Sequence, residues 1–327
     1  MNFDLDEGQH EFAEMAGKFF SANAGAASAR AMLADGAPAS PGLQKIAELG
    51  FYGITVPESA GGIGQSVLDA AVVAEQAGRH LASPSMVTAV RAAILLSKNE
   101  DLLTGLADGS TAYAVIDDGI AIDAVGADRF LAIRDGQVMI GDGEVDAGEP
   151  IDPTRGLARV TLTNAQPLES GVPEWERARL SAMVMLAAED LGTAGRCLEL
   201  GIEYANLREA FGRKIGSYQA VKHRLVDEYV AVEQLRSLVW WAAWAANHSH
   251  DELALAASAA KAQAAQAVDS AAETLIQVHG GIGFTWEHDA HLYWRRAKVD
   301  RLLLGSADHH FEQVSRLSFA TDAGQSS

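Results

Sequence analysis

The spacing of apolar residues changes period twice along this chain of 327 residues, and that change constrains the fold more than any single motif. Up to about Thr111 the period is helical. Asp4 and Asp6 precede Phe12, Met15, Ala16, Phe19 and Phe20, an i, i+3/i+4 stripe that gives a helix one apolar face. Leu43, Ile46, Ala47 and Leu49 lead into Gly50, Pro57 and Gly61-Gly62-Ile63-Gly64 force a loop, and Leu68, Ala71, Val72 and Ala74 predict a helix over 66–82. Between Ala112 and Gly171 the period shifts toward two. Segments 113–116, 129–133, 137–140 and 158–162 are short and β-rich, with turns expected at Asp135-Gly136 and Gly141-Asp142-Gly143. From Val172 helical spacing returns, in the stripes Leu191/Ala194/Leu198/Ile202/Ala205 and Val221/Leu225/Tyr229/Val232/Leu235. Segment 253–275 is rich in alanine, which favours helix and close packing. The expectation is a mostly α chain with a small β domain: an N-terminal helical domain over 1–111, a truncated middle β domain over 112–171 and a C-terminal four-helix bundle over 172–327.

Charge limits the partners. Lys+Arg number 25 against 44 Asp+Glu, a formal charge of −19. Such a surface repels nucleic acid and anionic membranes, so neither is expected as a partner, and any anionic ligand needs local Arg or Lys. The single cysteine, Cys197, excludes an internal disulfide and fits a reducing cytoplasm; its flanks Gly195, Arg196 and Leu198 suit a small residue packed in a helix. The opening Met1-Asn2-Phe3-Asp4-Leu5-Asp6-Glu7 is acidic where a secretory leader is basic, and the longest apolar run, 238–246, is too short to span a bilayer. A cytoplasmic protein is expected.

Two segments carry chemistry. In Arg208-Glu209-Ala210-Phe211-Gly212-Arg213-Lys214-Ile215-Gly216, a helix is expected to end near Arg208 and the next to open with Ser217 as its cap. Free backbone N–H groups and Arg208 would then converge where a phosphate could sit, against the plainer reading of a surface turn with solvated arginines. In Gln277-Val278-His279-Gly280-Gly281-Ile282-Gly283-Phe284, three glycines allow a sharp turn or close approach to a ligand, and Gln277 can both donate to and accept from a base or ribose. His288 and His291 form an H-x-x-H, and His309-His310 follow. No cysteine or third ligand joins them at a zinc spacing, so packing or capping is expected and no metal. Trp240, Trp241 and Trp244 share a helix turn and suit a core or subunit interface.

These segments, with Leu49-Gly50-Phe51-Tyr52-Gly53-Ile54-Thr55-Val56-Pro57-Glu58 and Gly61-Gly62-Ile63-Gly64 upstream, resemble the signatures of the acyl-CoA dehydrogenases over nearly the whole chain. The resemblance implies FAD-dependent α,β-dehydrogenation of an acyl-CoA thioester, with FAD shared across a subunit interface. It assigns the ADP side of FAD to Arg208, Phe211, Gln219 and Gln277, with backbone at Val278, Gly280 and Gly281. Ala210 stands where relatives often carry a hydroxyl or amide.

Two departures matter. The family's Thr-Glu-Pro-x-x-Gly-Ser and Trp-Ile-x-Asn-Gly segments have no counterpart between Ala112 and Gly171. Both family positions for the catalytic base are apolar here, Leu304 and Ala182. A placed carboxylate contributes roughly 10²–10⁴-fold as a general base, and neither side chain accepts a proton. The chain is similar to the shorter, base-lacking subunit of actinobacterial α2β2 dehydrogenases of steroid side-chain degradation. That likeness implies a longer homologous partner holding the base and most of the acyl-CoA site, possession of a shared FAD, and a steroid-type CoA ester as substrate. The alternatives are a self-sufficient flavoenzyme with Glu189 or Asp190 as a relocated base, and a non-catalytic acyl-CoA or partner-binding scaffold.

Overall fold

Asp6 and Gln9 start the first helix by bonding each other's backbone N–H, a reciprocal cap. The computed structural model describes residues 4–37 and 39–323, with side chains to 319, so Met1–Phe3 of the acidic opening and the last residues of the 172–327 segment lie outside it. Among the described residues six α-helices come first: α1 (Glu7–Asn23), α2 (Ala26–Asp35), α3 (Leu43–Glu48), α4 (Val67–Arg79), α5 (Met86–Leu95) and α6 (Glu100–Ala107). In α1, Ala16 and Phe20 are buried as the stripe requires, whereas Met15 sits at its solvent edge. Ser66 caps α4 with Asp69 in return, and the helix ends at Arg79, short of the expected 82.

Five strands follow, β1 (Tyr113–Asp117), β2 (Ile120–Ala121), β3 (Arg129–Arg134), β4 (Gln137–Asp146) and β5 (Ala158–Gly171). They close into a barrel in the order β1-β2-β5-β4-β3, antiparallel except where β1 meets β3. Asp135 (φ 50°) and Gly136 (φ 79°) make the two-residue turn between β3 and β4, the left-handed pair that matches strand twist. The second expected turn, at Gly141-Asp142-Gly143, is instead part of β4. The register slips between Ile140 and Asp142, and Gly143 is glycine because a Cβ would lie 2.5 Å from the Phe130 ring. The two-residue β2 was too short to leave a periodic signal.

The remainder is helical: α7 (Val172–Leu207), a small hairpin of β6 (Glu209–Ala210) and β7 (Arg213–Lys214), then α8 (Gln219–His248), α9 (His250–His279), α10 (Ala290–Asp300) and α11 (Ala307–Ala323). The alanine-rich α9 packs on α7, α8, α10 and α11, and its small side chains let four neighbours approach one helix. Helix α7 also carries α4 and α5, joining the two helical regions. At the α4–α7 crossing the backbones touch: a Cβ on Gly192 would lie 1.8 Å from the Glu75 carbonyl, and one on Gly78 1.9 Å from that of Glu189. Trp240 is buried in this core, while Trp241 donates its Nε1–H to Glu252 and Trp244 stacks on His248. Cys197 is buried, and burial pushes its thiol pKa up.

A buried polar seam fixes the barrel to the helices. Arg155, between β4 and β5, pairs with Asp300 of α10 (Nε to Oδ1, 2.7 Å) and with Glu189 of α7. Arg296 of α10 reaches back to Asp152 at 2.7 Å and Thr154 at 2.6 Å. Lys261 of α9 donates to the Asp300 carbonyl at 3.2 Å. Among the described residues no helix is long and apolar enough to cross a membrane.

Candidate functional site

The first candidate surface forms where α7 stops. Arg208 caps α7 in extended conformation, and the chain reverses through the β6–β7 hairpin. Phe211 (φ 51°) and Gly212 (φ 77°) occupy its tip in the left-handed region, and Phe211 is 97% exposed. A left-handed phenylalanine projecting into solvent is unfavourable twice over for an isolated chain. The hairpin is held from behind: the Tyr218 hydroxyl donates to the Ala210 carbonyl at 2.9 Å, and the Arg213 guanidinium lies 3.9 Å from the Tyr218 ring centre.

The expected Ser217 cap does not form. Ser217 Oγ donates to the Lys214 carbonyl at 2.7 Å, and α8 begins at Gln219 with Tyr218 at its cap position and no side chain bonded to its first N–H groups. Those donors sit at the positive end of a 30-residue helix. Gln219 and Arg208 are exposed, and Arg208's side chain has no hydrogen bond or ion pair among the described residues. Residues 208–224 hold five Arg or Lys and one acid, a local cationic patch on a strongly acidic chain.

The glycine segment sits on the neighbouring helix end. Gln277 is exposed near the last turn of α9, and Gly280 (φ 64°) ends the helix where an L side chain would be strained. No atom lies within 4 Å of a Cβ built on Gly280 or Gly281, so this backbone edge is open. Val278 packs on the cluster of Leu198, Ala205 and Leu225, as do Ile215 and Val221. That cluster brings the two segments together at one end of the bundle. Behind the glycines, His279 stacks on Tyr204 at 4.1 Å and meets His288 at 4.2 Å. His288 Nδ1 accepts from the Ala290 N–H, and His291 packs edge-on to Trp286. Burial holds the His279 and His291 pKa values down. No group of three or more potential ligands is placed to hold a metal among the described residues.

The second candidate is a cavity of about 380 Å3 between α5, the barrel and the turn after α10. Leu304 is on its wall, in the left-handed region (φ 58°), its carbonyl hydrogen-bonded to His310 Nε2 at 2.8 Å. Val87, Val115, Ile122 and Leu157 make most of the lining apolar. Arg91 crosses this wall, buried, paired with Asp117 through both terminal nitrogens and lying 4.9 Å from the Trp175 ring centre. The wall carboxylates are that paired Asp117 and the exposed Asp118. Ala182 is buried within α7.

Glu189 and Asp190 lie elsewhere, in the seam. Glu189 is buried, ion-paired with Arg155, and accepts from Ser85 Oγ at 2.8 Å and the Met86 N–H at 2.9 Å. Asp190 is fully buried with neither oxygen bonded among the described residues. Burial, then the nearby Asp300, pushes its pKa well above the usual carboxylate range, against the pull of Lys261 and Arg155. Sequence reading missed this seam and the Arg91–Asp117 pair, because an arginine in a loop or helix does not announce its partner.

The architecture, a β-barrel set between helices α1–α6 and the bundle α7–α11, is that of a flavin-dependent dehydrogenase class. Family models of the acyl-CoA dehydrogenase N-terminal and C-terminal domains match residues 6–99 and 178–318. Acyl-CoA dehydrogenase IpdE2 of Mycobacterium tuberculosis is 36% identical over 87% of this chain and 89% of its own length. A solved structure described as the Tcur3481-Tcur3483 steroid ACAD G363A variant superposes with a TM-score of 0.86 at 25% identity, covering 97% of this chain and 99% of that one. The ChsE4-ChsE5 complex from M. tuberculosis gives the same score at 24% identity, covering 97% and 98%. The chain belongs to the acyl-CoA dehydrogenase family.

Proposed function

We propose that this chain is the base-lacking subunit of a heteromeric, FAD-dependent acyl-CoA dehydrogenase. The observation that carries the reading is the pairing of an open, cationic edge at the bundle end with leucine at the position where the resemblance puts the base. At the bundle end an unpaired guanidinium, an uncapped helix start, an exposed aromatic ring and an open glycine edge match the adenosine and diphosphate of FAD in donor chemistry. Arg208 and the α8 N–H groups would hold the diphosphate, Gln219 and Gln277 would bond its polar edges, and Phe211 would cover a flat face. FAD, when bound, supplies the hydride acceptor for the α,β-dehydrogenation.

The proton must go to a carboxylate, and this chain offers none free at the family's positions. Leu304 has no basic atom, Asp117 is tied to Arg91, Asp118 is exposed rather than enclosed, and Glu189 is committed to Arg155, Ser85 and Met86. Asp190 is fully buried in the seam and is not on the wall of the Leu304 cavity. The base therefore comes from a longer homologous partner, which also holds most of the acyl-CoA, and this chain alone is inactive. The two-component Tcur3481-Tcur3483 and ChsE4-ChsE5 structures support a partnered assembly, and the steroid description of the former supports a bulky steroid-type CoA ester as substrate.

The test is flavin stoichiometry for this chain alone and co-purified with a longer homologue. About one FAD per pair of chains, lowered by Arg208→Ala, is expected. One FAD per chain in the isolated protein, with turnover abolished by Glu189→Gln, would instead establish a self-sufficient enzyme.

A further inference from the structure

A larger cavity, about 560 Å3, lies on the other side of the barrel seam from Leu304, between α2, α3 and the 147–157 loop. Its wall is mostly apolar, with Met32, Leu43, Pro84, Val125 and Leu157. Buried polar side chains interrupt it, Tyr52, Ser83, Tyr113 and Asp123, of which Tyr113 is already committed through its hydroxyl to the Leu102 carbonyl. The Tyr52 hydroxyl has no hydrogen-bond partner among the described residues, although the residue is 2% exposed. The Tyr52 oxygen is not itself sealed off, so solvent in the cavity reaches it, and a ligand's acceptor can take that water's place.

Asp123 is held in place from several sides. Its backbone is left-handed (φ 56°), its N–H donates to the Arg155 carbonyl at 2.9 Å, and a Cβ on Gly156 would press its Cα at 3.1 Å. Its carboxyl accepts from the Ser85 N–H at 3.0 Å and from Thr88 Oγ1 at 2.6 Å. Thr88 lines the Leu304 cavity, so the Thr88–Asp123 bond separates two cavities set back to back. Burial pushes the Asp123 pKa up to about 7, with hydrogen bonds from Thr88 and Ser85 opposing, and burial raises Tyr52 well above 10. Near neutral pH the wall thus presents a phenol donor beside a carboxyl that still holds its proton much of the time.

We propose that this cavity is a second small-molecule site, taking an apolar ring compound with one ketone oxygen, which the Tyr52 hydroxyl binds as donor beside the Asp123 carboxyl. The volume falls within the roughly 300–1,000 Å3 of small-molecule sites, and a few polar groups converging in an apolar wall are their usual composition. A ketone satisfies two donors with two lone pairs, whereas a carboxylate ligand would meet Asp123 as a like charge above pH 7. This site does not depend on the flavin reading.

The experiment uses the fluorescent naphthyl ketone prodan, titrated into the purified protein or its complex, with flavin content measured on the same samples. Saturable binding with blue-shifted emission is expected. Tyr52→Phe, which removes a hydroxyl that bonds nothing in the protein, should weaken it about tenfold. Affinity should fall as pH rises through about 7, where Asp123 loses its proton. Val125→Trp, on this cavity's exposed wall, should block the probe, and Leu302→Trp, on the Leu304 cavity, should not. Absence of saturable binding, equal binding by Tyr52→Phe, or a block by Leu302→Trp alone overturns the proposal. Loss of flavin without change in prodan binding would concern only the cofactor edge.

Discussion

Arg155 and Arg208 are the same residue in opposite circumstances. Arg155 is fully buried, shared between Asp300 and Glu189, with Arg296 close by and tied to Asp152 and Thr154. Arg208 stands at a helix end in solvent, beside a cationic hairpin and an uncapped helix start, with no internal partner among the described residues. At the seam charge is spent on holding barrel and bundle in register. At the bundle end it is left available. A buried pair tests the fold when broken; an exposed, unpartnered charge tests binding.

The largest effect is expected at the seam. Arg155→Ala strands two buried carboxylates, and breaking a buried pair from one side costs roughly 3–5 kcal/mol; urea unfolding should show that loss, and a change below about 1 kcal/mol would mean the seam is hydrated. Next comes His310, whose hydrogen bond to the Leu304 carbonyl fixes the turn after α10. Burial pushes its pKa down to about 4 from 6.5. Between those values the unfolded chain binds more protons than the folded one, so stability is full above about pH 6.5 and falls as pH drops toward 4. The loss reaches about 3 kcal/mol at most. His310→Gln should flatten that part of the stability–pH curve; an unchanged slope would assign it to His279, His291 and His80, which burial also holds low.

Much of this division was legible in the sequence, for reasons that can be stated locally. The α1 stripe and the Asp135-Gly136 turn are short-range patterns, and the structure has both. The Gly141–143 segment misled because glycine serves a turn and a bulge under a ring equally well, and only the distant Phe130 decides between them. Ser217 misled in the same way: its hydroxyl found a carbonyl three residues back before it could cap α8. The ion pair of Glu189 left no local trace, because its partner Arg155 is 34 residues away in a loop. The open edge was the easier part to read, since Arg208, Phe211 and the glycines are set by their own segments. The closed seam was invisible, since it is made only of long-range partners.

Two smaller effects separate binding from folding. Arg208→Ala should leave stability within about 0.5 kcal/mol, as surface substitutions do, while loss of a charged hydrogen bond of about 1.5–3 kcal/mol weakens flavin retention by the complex roughly 10- to 100-fold. Retention at the wild-type level would remove Arg208 from the cofactor edge. The last contrast is between two glycines. Gly78→Ala drives a methyl into the Glu189 carbonyl and should cripple folding of the α4–α7 crossing. Gly281→Val meets nothing within 4 Å of its new Cβ and needs no left-handed backbone, so thermal unfolding should move little. If a cofactor lies against that edge, the added side chain occupies its space, and flavin should dissociate from a protein that is otherwise intact. A Gly281→Val protein of normal stability and normal flavin content would show that the glycine edge faces solvent or a partner's side chain, and the cofactor would have to be placed nearer Arg208 and the start of α8.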